Sequence, residues 1–202
     1  MKISLRLLLL MMSILLVAPG LAANPFLDAK DDKPVSAEVR GTEWGDEIGE
    51  DVPLTARMVT TRIARMAWGA IFKIEFVDLE SEAEQKRKIR SNYFITTDDR
   101  IFLLNEEDND AAAKKISTME KPPELEKHYL RAITKGKMKF KDGAYETEIA
   151  VKGSECTYLT SHNSGHFTKF VWKKGVGLIE HASGYGAAQD GFRLKRATSK
   201  SP

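Results

Sequence analysis

Beyond about residue 55 the chain alternates between apolar and polar positions. Val59, Thr61 and Ile63 fall on one side and Met58, Thr60 and Ala64 on the other, the period-2 pattern of a half-buried strand. Phe72, Ile74 and Phe76 resume the pattern after Trp68-Gly69, which predicts two adjacent strands turning near residues 66–70. The charged stretch 80–90, in which Glu80, Glu82 and Glu84 offset Lys86, Arg87, Lys88 and Arg90, reads as a solvated connection rather than a ligand patch. A strand follows over 93–97, Asp98-Asp99 turns the chain, and a second short strand covers 101–104.

The period changes over residues 108–119. Asp108 or Asn109 can cap a helix there, Ala111 to Ala113 favour one, and Ala112, Ile116 and Met119 share a face. Its acidic start and Lys114-Lys115 agree with the helix dipole, and Pro122-Pro123 ends it. Residues 124–136 fit two patterns, because Leu125, Tyr129 and Ile133 recur every four residues while Ala132 to Thr134 suit the start of a strand. From Lys137 the turns are explicit. Asp142-Gly143, Lys152-Gly153, Asn163-Ser164-Gly165 and Lys174-Gly175 separate successive strands, and a last strand covers 192–196. Strands joined by such short loops pair antiparallel. The fold class predicted is α+β, mostly β, an antiparallel meander or small open barrel with one main helix.

The start of the chain changes the setting. Lys2 and Arg6 precede an apolar run over 7–17 and a break at Pro19-Gly20, the layout of a secretory signal peptide with cleavage after Ala22 or Ala23. The run is too short to span a membrane, which takes about 20 residues, and no membrane span is expected in the mature chain. The expected organisation is a signal peptide over 1–23, an extended and partly flexible arm over 24–52 containing Trp44, a single β-rich domain over 53–197, and a tail over 198–202. The short n-region favours the periplasm, with full secretion as the other destination. Removing the signal takes two of the 31 basic residues and leaves 29 against 29 acidic ones. A neutral chain gives no reason to expect nucleic acid as a partner.

Three groups of side chains carry candidate chemistry. His162, His166 and His181 are a possible metal set, although Asn163-Ser164-Gly165 prevents the helix that would give His162 and His166 a common face. Cys156, with His162 or His181 and Asp190, is the set a thiol hydrolase would need, against the plainer reading of a buried thiol within a strand. The third group is loop residues held on a rigid sheet, a setting that suits contact with an extracytoplasmic protein or small ligand. Alternate turns of a meander emerge at one end, so the turns after His162 and His181 should be neighbours, bringing together Asn163, Ser164, His166, Tyr185 and Gln189. Gly175 and Gly177 suit tight backbone geometry rather than phosphate binding, since Leu178-Ile179 continues a strand. No nucleotide-binding, zinc-protease or Gly-x-Ser-x-Gly motif is present, and no cofactor is called for.

Two resemblances bear on this. Residues 170–195, with Trp172, Gly175-Val176-Gly177-Leu178 and Ser183-Gly184-Tyr185-Gly186, resemble a hairpin of exported bacterial domains. Ser164-Gly165-His166-Phe167 is similar to the short Ser-Gly loops of periplasmic lysozyme inhibitors, with Phe167 where an aromatic hydroxyl stands. That resemblance implies Ser164 and His166 hydrogen-bonding catalytic carboxylates of a target. The reading favoured by the sequence is an exported binding protein acting through the loops of a β-sheet. The alternatives are a lysozyme-inhibitor-like protein, a metal-binding protein and a thiol hydrolase.

Overall fold

The computed structural model describes residues 24–27, 33–45, 51–83, 87–104, 106–124, 130–133, 137–186 and 190–197. The expected signal peptide, Gln189 and the tail lie outside them. In chain order the elements are β1 (Val35–Trp44), β2 (Val52–Met66), β3 (Gly69–Ser81), β4 (Asn92–Thr96), β5 (Arg100–Leu104), α1 (Asn109–Ser117), β6 (Leu130–Ile133), β7 (Lys137–Asp142), β8 (Tyr145–Lys152), β9 (Glu155–His162), β10 (His166–Lys173), β11 (Gly177–Tyr185) and β12 (Asp190–Arg196). The strands make one 12-stranded sheet in the order β6-β5-β4-β3-β2-β1-β12-β11-β10-β9-β8-β7, every pair antiparallel. It is two six-stranded meanders joined where β1 pairs with β12, from Val39↔Arg196 to Trp44↔Gly191. Among the described residues no helix is long and apolar enough to cross a membrane.

The sheet curls, and its concave face closes on itself. Phe94 on β4 meets Phe170 and Trp172 on β10 edge-on, with ring centroids 5.2 and 5.6 Å apart. Around them Leu54, Phe72, Ile74, Ile149, Tyr158 and Leu194 are buried in a single cluster. The alternation read from the sequence selects these residues, because every second side chain faces inward. Their opposite neighbours on the convex face, Ile71, Tyr93, Ile95 and Phe102, form a second cluster covered by Ala113 and Ile116 of α1. Asp108 caps that helix by accepting from the Ala111 amide at 2.9 Å, and Trp68 Nε1 donates to Met119 O at 3.0 Å to hold its far end. At the sheet edge β7 carries Lys137 and Lys139, paired across the strand with Glu148 and Glu146, charges that discourage edge-to-edge association.

Three expectations need correction. Residues 35–44, expected within the flexible arm, form β1, paired on both sides at the centre of the sheet. Of their inward positions Ala37, Val39, Gly41 and Glu43, only Val39 is a strand former, too little alternation to announce a strand. Asn24, Phe26 and Leu27 are buried as well. Asn24 Nδ2 donates to Thr97 O and Arg100 O at 2.9 and 3.0 Å, and Gly175 N donates to Pro25 O at 2.9 Å, so this segment caps one end of the core across the β4–β5 and β10–β11 turns. Finally, Ala64 does not share a face with Met58. The β2–β3 register shifts between Arg62 and Ala64, Ile63 bulges outward and half-exposed, and Ala64 joins the convex cluster while Met58 stays in the concave one.

Candidate binding surface at one end of the sheet

The end opposite Asn24–Leu27 carries the turns β7–β8, β9–β10 and β11–β12. Four rings stand side by side there across β8, β9, β10 and β11. Tyr145 pairs with His162 and His166 with Tyr185. Ring centroids are 4.7 Å apart for Tyr145–His162, 6.2 Å for His162–His166 and 3.9 Å for His166–Tyr185, the last pair nearly parallel at 12°. Gly186 N donates to Gly165 O at 2.9 Å, which ties the two turns directly. The expected juxtaposition of Ser164, His166 and Tyr185 is therefore present.

Ser164 organises the two imidazoles. Its Oγ lies 2.6 Å from His162 Nδ1 and 3.0 Å from His166 Nδ1, and its amide donates to His162 Nδ1 at 3.1 Å. One proton order satisfies all three contacts: His162 accepts at Nδ1, the Ser164 hydroxyl donates to it, and His166 Nδ1–H donates to Ser164 Oγ. The hydroxyl that a lysozyme-inhibitor resemblance would direct at a carboxylate is thus already held between two imidazoles. Asn163 is fixed through its backbone, its amide donating to Ala144 O at 3.3 Å.

Beside this row sits a clamp that the sequence did not suggest. Arg87 Nε donates to Glu43 Oε2 at 2.9 Å, its Nη2 donates to Trp44 O at 3.3 Å and to Asp190 Oδ1, and the guanidinium lies 5.9 Å from the Phe192 ring centroid. Burial disfavours the Arg87 cation, but Asp190 and Glu43 more than offset this and raise its pKa above the ordinary value. Read as one of four cations in a solvated run, Arg87 gave no local sign of its partners, which lie on β1 and β12. On the convex side Trp44 and Phe167 stack 6.4 Å apart at 5°. Between them a Cβ at Gly191 would meet Trp44 at 2.5 Å and one at Gly184 would meet Phe167 at 2.8 Å, so the paired glycines give the rings their seats.

The other two constellations do not assemble. His181 is a core residue, stacked on Phe170 at 4.4 Å and edge-on to Phe192 at 5.0 Å, with Nδ1–H donating to Lys169 O at 3.2 Å. It lies four residues along the ladder from the rim, about 13 Å, and cannot share a metal ion with His162 and His166. Among the described residues no group of three or more metal-binding side chains is found. Cys156 pairs with Trp172 at the capped half of the core and is fully buried, while Asp190 is at the opposite rim in the Arg87 clamp. His162 is six residues from Cys156 along the same strand, about 20 Å.

Burial pushes the Cys156 thiol up to about 12. We expect no labelling of the folded protein by iodoacetamide at pH 8 and rapid labelling in urea, read by intact mass; labelling without denaturant would contradict the buried placement.

Burial also pushes His181 down to about 4, from an ordinary value of 6.5, with the Lys169 carbonyl opposing the shift. The unfolded chain takes up this proton first, so the contribution is complete above about pH 6.5 and is lost as pH falls toward 4, with a total of about 3 kcal/mol. The stability difference between wild type and His181→Phe, measured by urea titration, should change over that window. A difference constant from pH 7 to pH 4 would contradict a neutral His181.

Compared with known proteins, the chain matches no family model and no curated protein sequence.

Proposed function

We propose that the protein is a binding module whose contact surface is the end of the sheet formed by the 163–165 turn and the adjoining β11–β12 connection, with Asn163, Ser164, His166, Tyr185 and Gln189 among the contact residues. The partner is an extracytoplasmic protein or small ligand, in keeping with the signal peptide expected at residues 1–23. The observation that carries this reading is the His166–Tyr185 stack at 3.9 Å, fixed by the Gly186–Gly165 hydrogen bond. Rings held in place by the scaffold lose little entropy on binding, and tyrosine is among the side chains most used at interfaces. The experiment replaces His166 and Tyr185 together by alanine, checks that the melting temperature is near that of wild type, and repeats capture from periplasmic extract. The double variant should lose partners that the wild type retains. Retention of every captured partner places the contact surface elsewhere.

A further inference from the structure

We propose that the cleft beside the four rings is a subsite for one neutral, polyhydroxylated ring, a monosaccharide or the terminal sugar of a glycan; this rests on the binding reading above and gives it a ligand chemistry. The cleft is open to solvent, holds about 230 Å³, and has among its lining residues Tyr145, Thr160, His166, Phe167, Thr168 and Ser183. That is below the roughly 300–1,000 Å³ of sites for drug-sized ligands and suits a single small ring.

The lining decides the chemistry. Thr160 Oγ1 accepts from Thr147 Oγ1 at 3.1 Å, Thr168 Oγ1 lies 3.4 Å from Ser183 Oγ, and Ser183 Oγ donates to Phe167 O at 3.3 Å. A hydroxyl offers one donor and two acceptors, so these bonds leave the floor with capacity for a ligand's own hydroxyls. Tyr145, half-exposed, stands at the cleft as a flat amphipathic wall. The six residues named include no lysine, arginine, aspartate or glutamate, and their one imidazole, His166, is already engaged by Ser164 Oγ and the Tyr185 ring, so the lining offers hydroxyls rather than fixed charge. An aliphatic ligand would desolvate the Thr160, Thr168 and Ser183 hydroxyls without replacing their hydrogen bonds. A sugar ring satisfies both walls, with its C–H face on Tyr145 and its hydroxyls on the threonine and serine floor.

The test is a titration of the ¹⁵N-labelled mature protein, followed by amide shifts, with glucose, N-acetylglucosamine and tri-N-acetylchitotriose, and with acetate and hexanol as the ionic and apolar comparisons. Saturable shifts at Thr160, Phe167, Thr168 and Gly184 are expected with at least one sugar at Kd of about 1–10 mM. Thr168→Val, which keeps shape and removes the hydroxyl, should weaken this about tenfold. Ser183→Ala serves the same purpose should the first variant fold poorly. Response to the trisaccharide alone assigns a glycan end, and response to a single sugar assigns a free ring. No saturable shift with any sugar up to about 100 mM, equal affinity in both variants, or a response confined to acetate or hexanol overturns the proposal. Capture that still depends on His166 and Tyr185, without any sugar response, removes the ligand chemistry and leaves the contact surface standing; loss of both removes the two together.

Discussion

Gly41→Ala is expected to destabilise the protein by about 4 kcal/mol or more, or to prevent folding altogether. A Cβ at position 41 would lie 1.7 Å from Arg193 O and 2.7 Å from Arg193 C. The obstacle is the backbone of β12, which no rotamer change can move. Admitting the methyl group means parting β1 from β12 at Gly41↔Leu194, within the ladder that joins the two meanders. A urea titration followed by tryptophan fluorescence reads the effect. Gly143→Ala is the comparison: its φ is +59° but nothing lies within 4 Å of the added carbon, and it should cost only about 1 kcal/mol. Equal midpoints for the two variants would show that β1 and β12 are not so closely apposed.

Phe26→Ala should cost about 3–5 kcal/mol, the usual range for deleting a buried aromatic ring. Phe26 has no exposed surface and packs into the concave core. Its position is held by neighbours on both sides, since Asn24 binds the β4–β5 turn and Pro25 O receives the Gly175 amide. Asn24→Ala should therefore cost less but still measurably, about 1–3 kcal/mol, because it leaves the Thr97 and Arg100 carbonyls without that donor. Thermal melts of both variants check the order. A Phe26→Ala protein that melts with wild type would show that residues 24–27 do not cap the core.

How far the sequence could be read depended on whether the signal was local. The turns at Asp142-Gly143, Lys152-Gly153 and Asn163-Ser164-Gly165 are written in consecutive residues, and β7 to β10 follow from them. The helix is nearly as plain, because its cap at Asp108 and Ile116 lie close together in sequence, although its buried face is Ala113 and Ile116 rather than Ala112, Ile116 and Met119, and it ends at Ser117, ahead of Pro122-Pro123. Even the meeting of His166 with Tyr185 could be expected, since it needs only the rule that alternate turns share an end. What escaped is what long-range packing alone decides. β1 has a strand's backbone but an inward face of Ala37, Val39, Gly41 and Glu43, the glycine being demanded by β12 and the carboxylate by Arg87. The Asn24–Leu27 cap has no period at all. Its place is set by two turns more than seventy residues away, and nothing near Phe26 in the chain records them.

The pairing of β1 with β12 also orders events in time. Each meander is built from neighbours in sequence, and such local contacts close quickly. The seam between them joins Val39 to Arg196, so a chain emerging from its N-terminus can assemble β1 to β6 early yet must leave β1 with an open edge until β12 appears. That edge is a site for mispairing while it waits, and it closes only through partners about 150 residues apart in sequence, the kind of contact that forms slowly. A chain that stops short of β12 therefore leaves β1 without the partner that joins the two meanders.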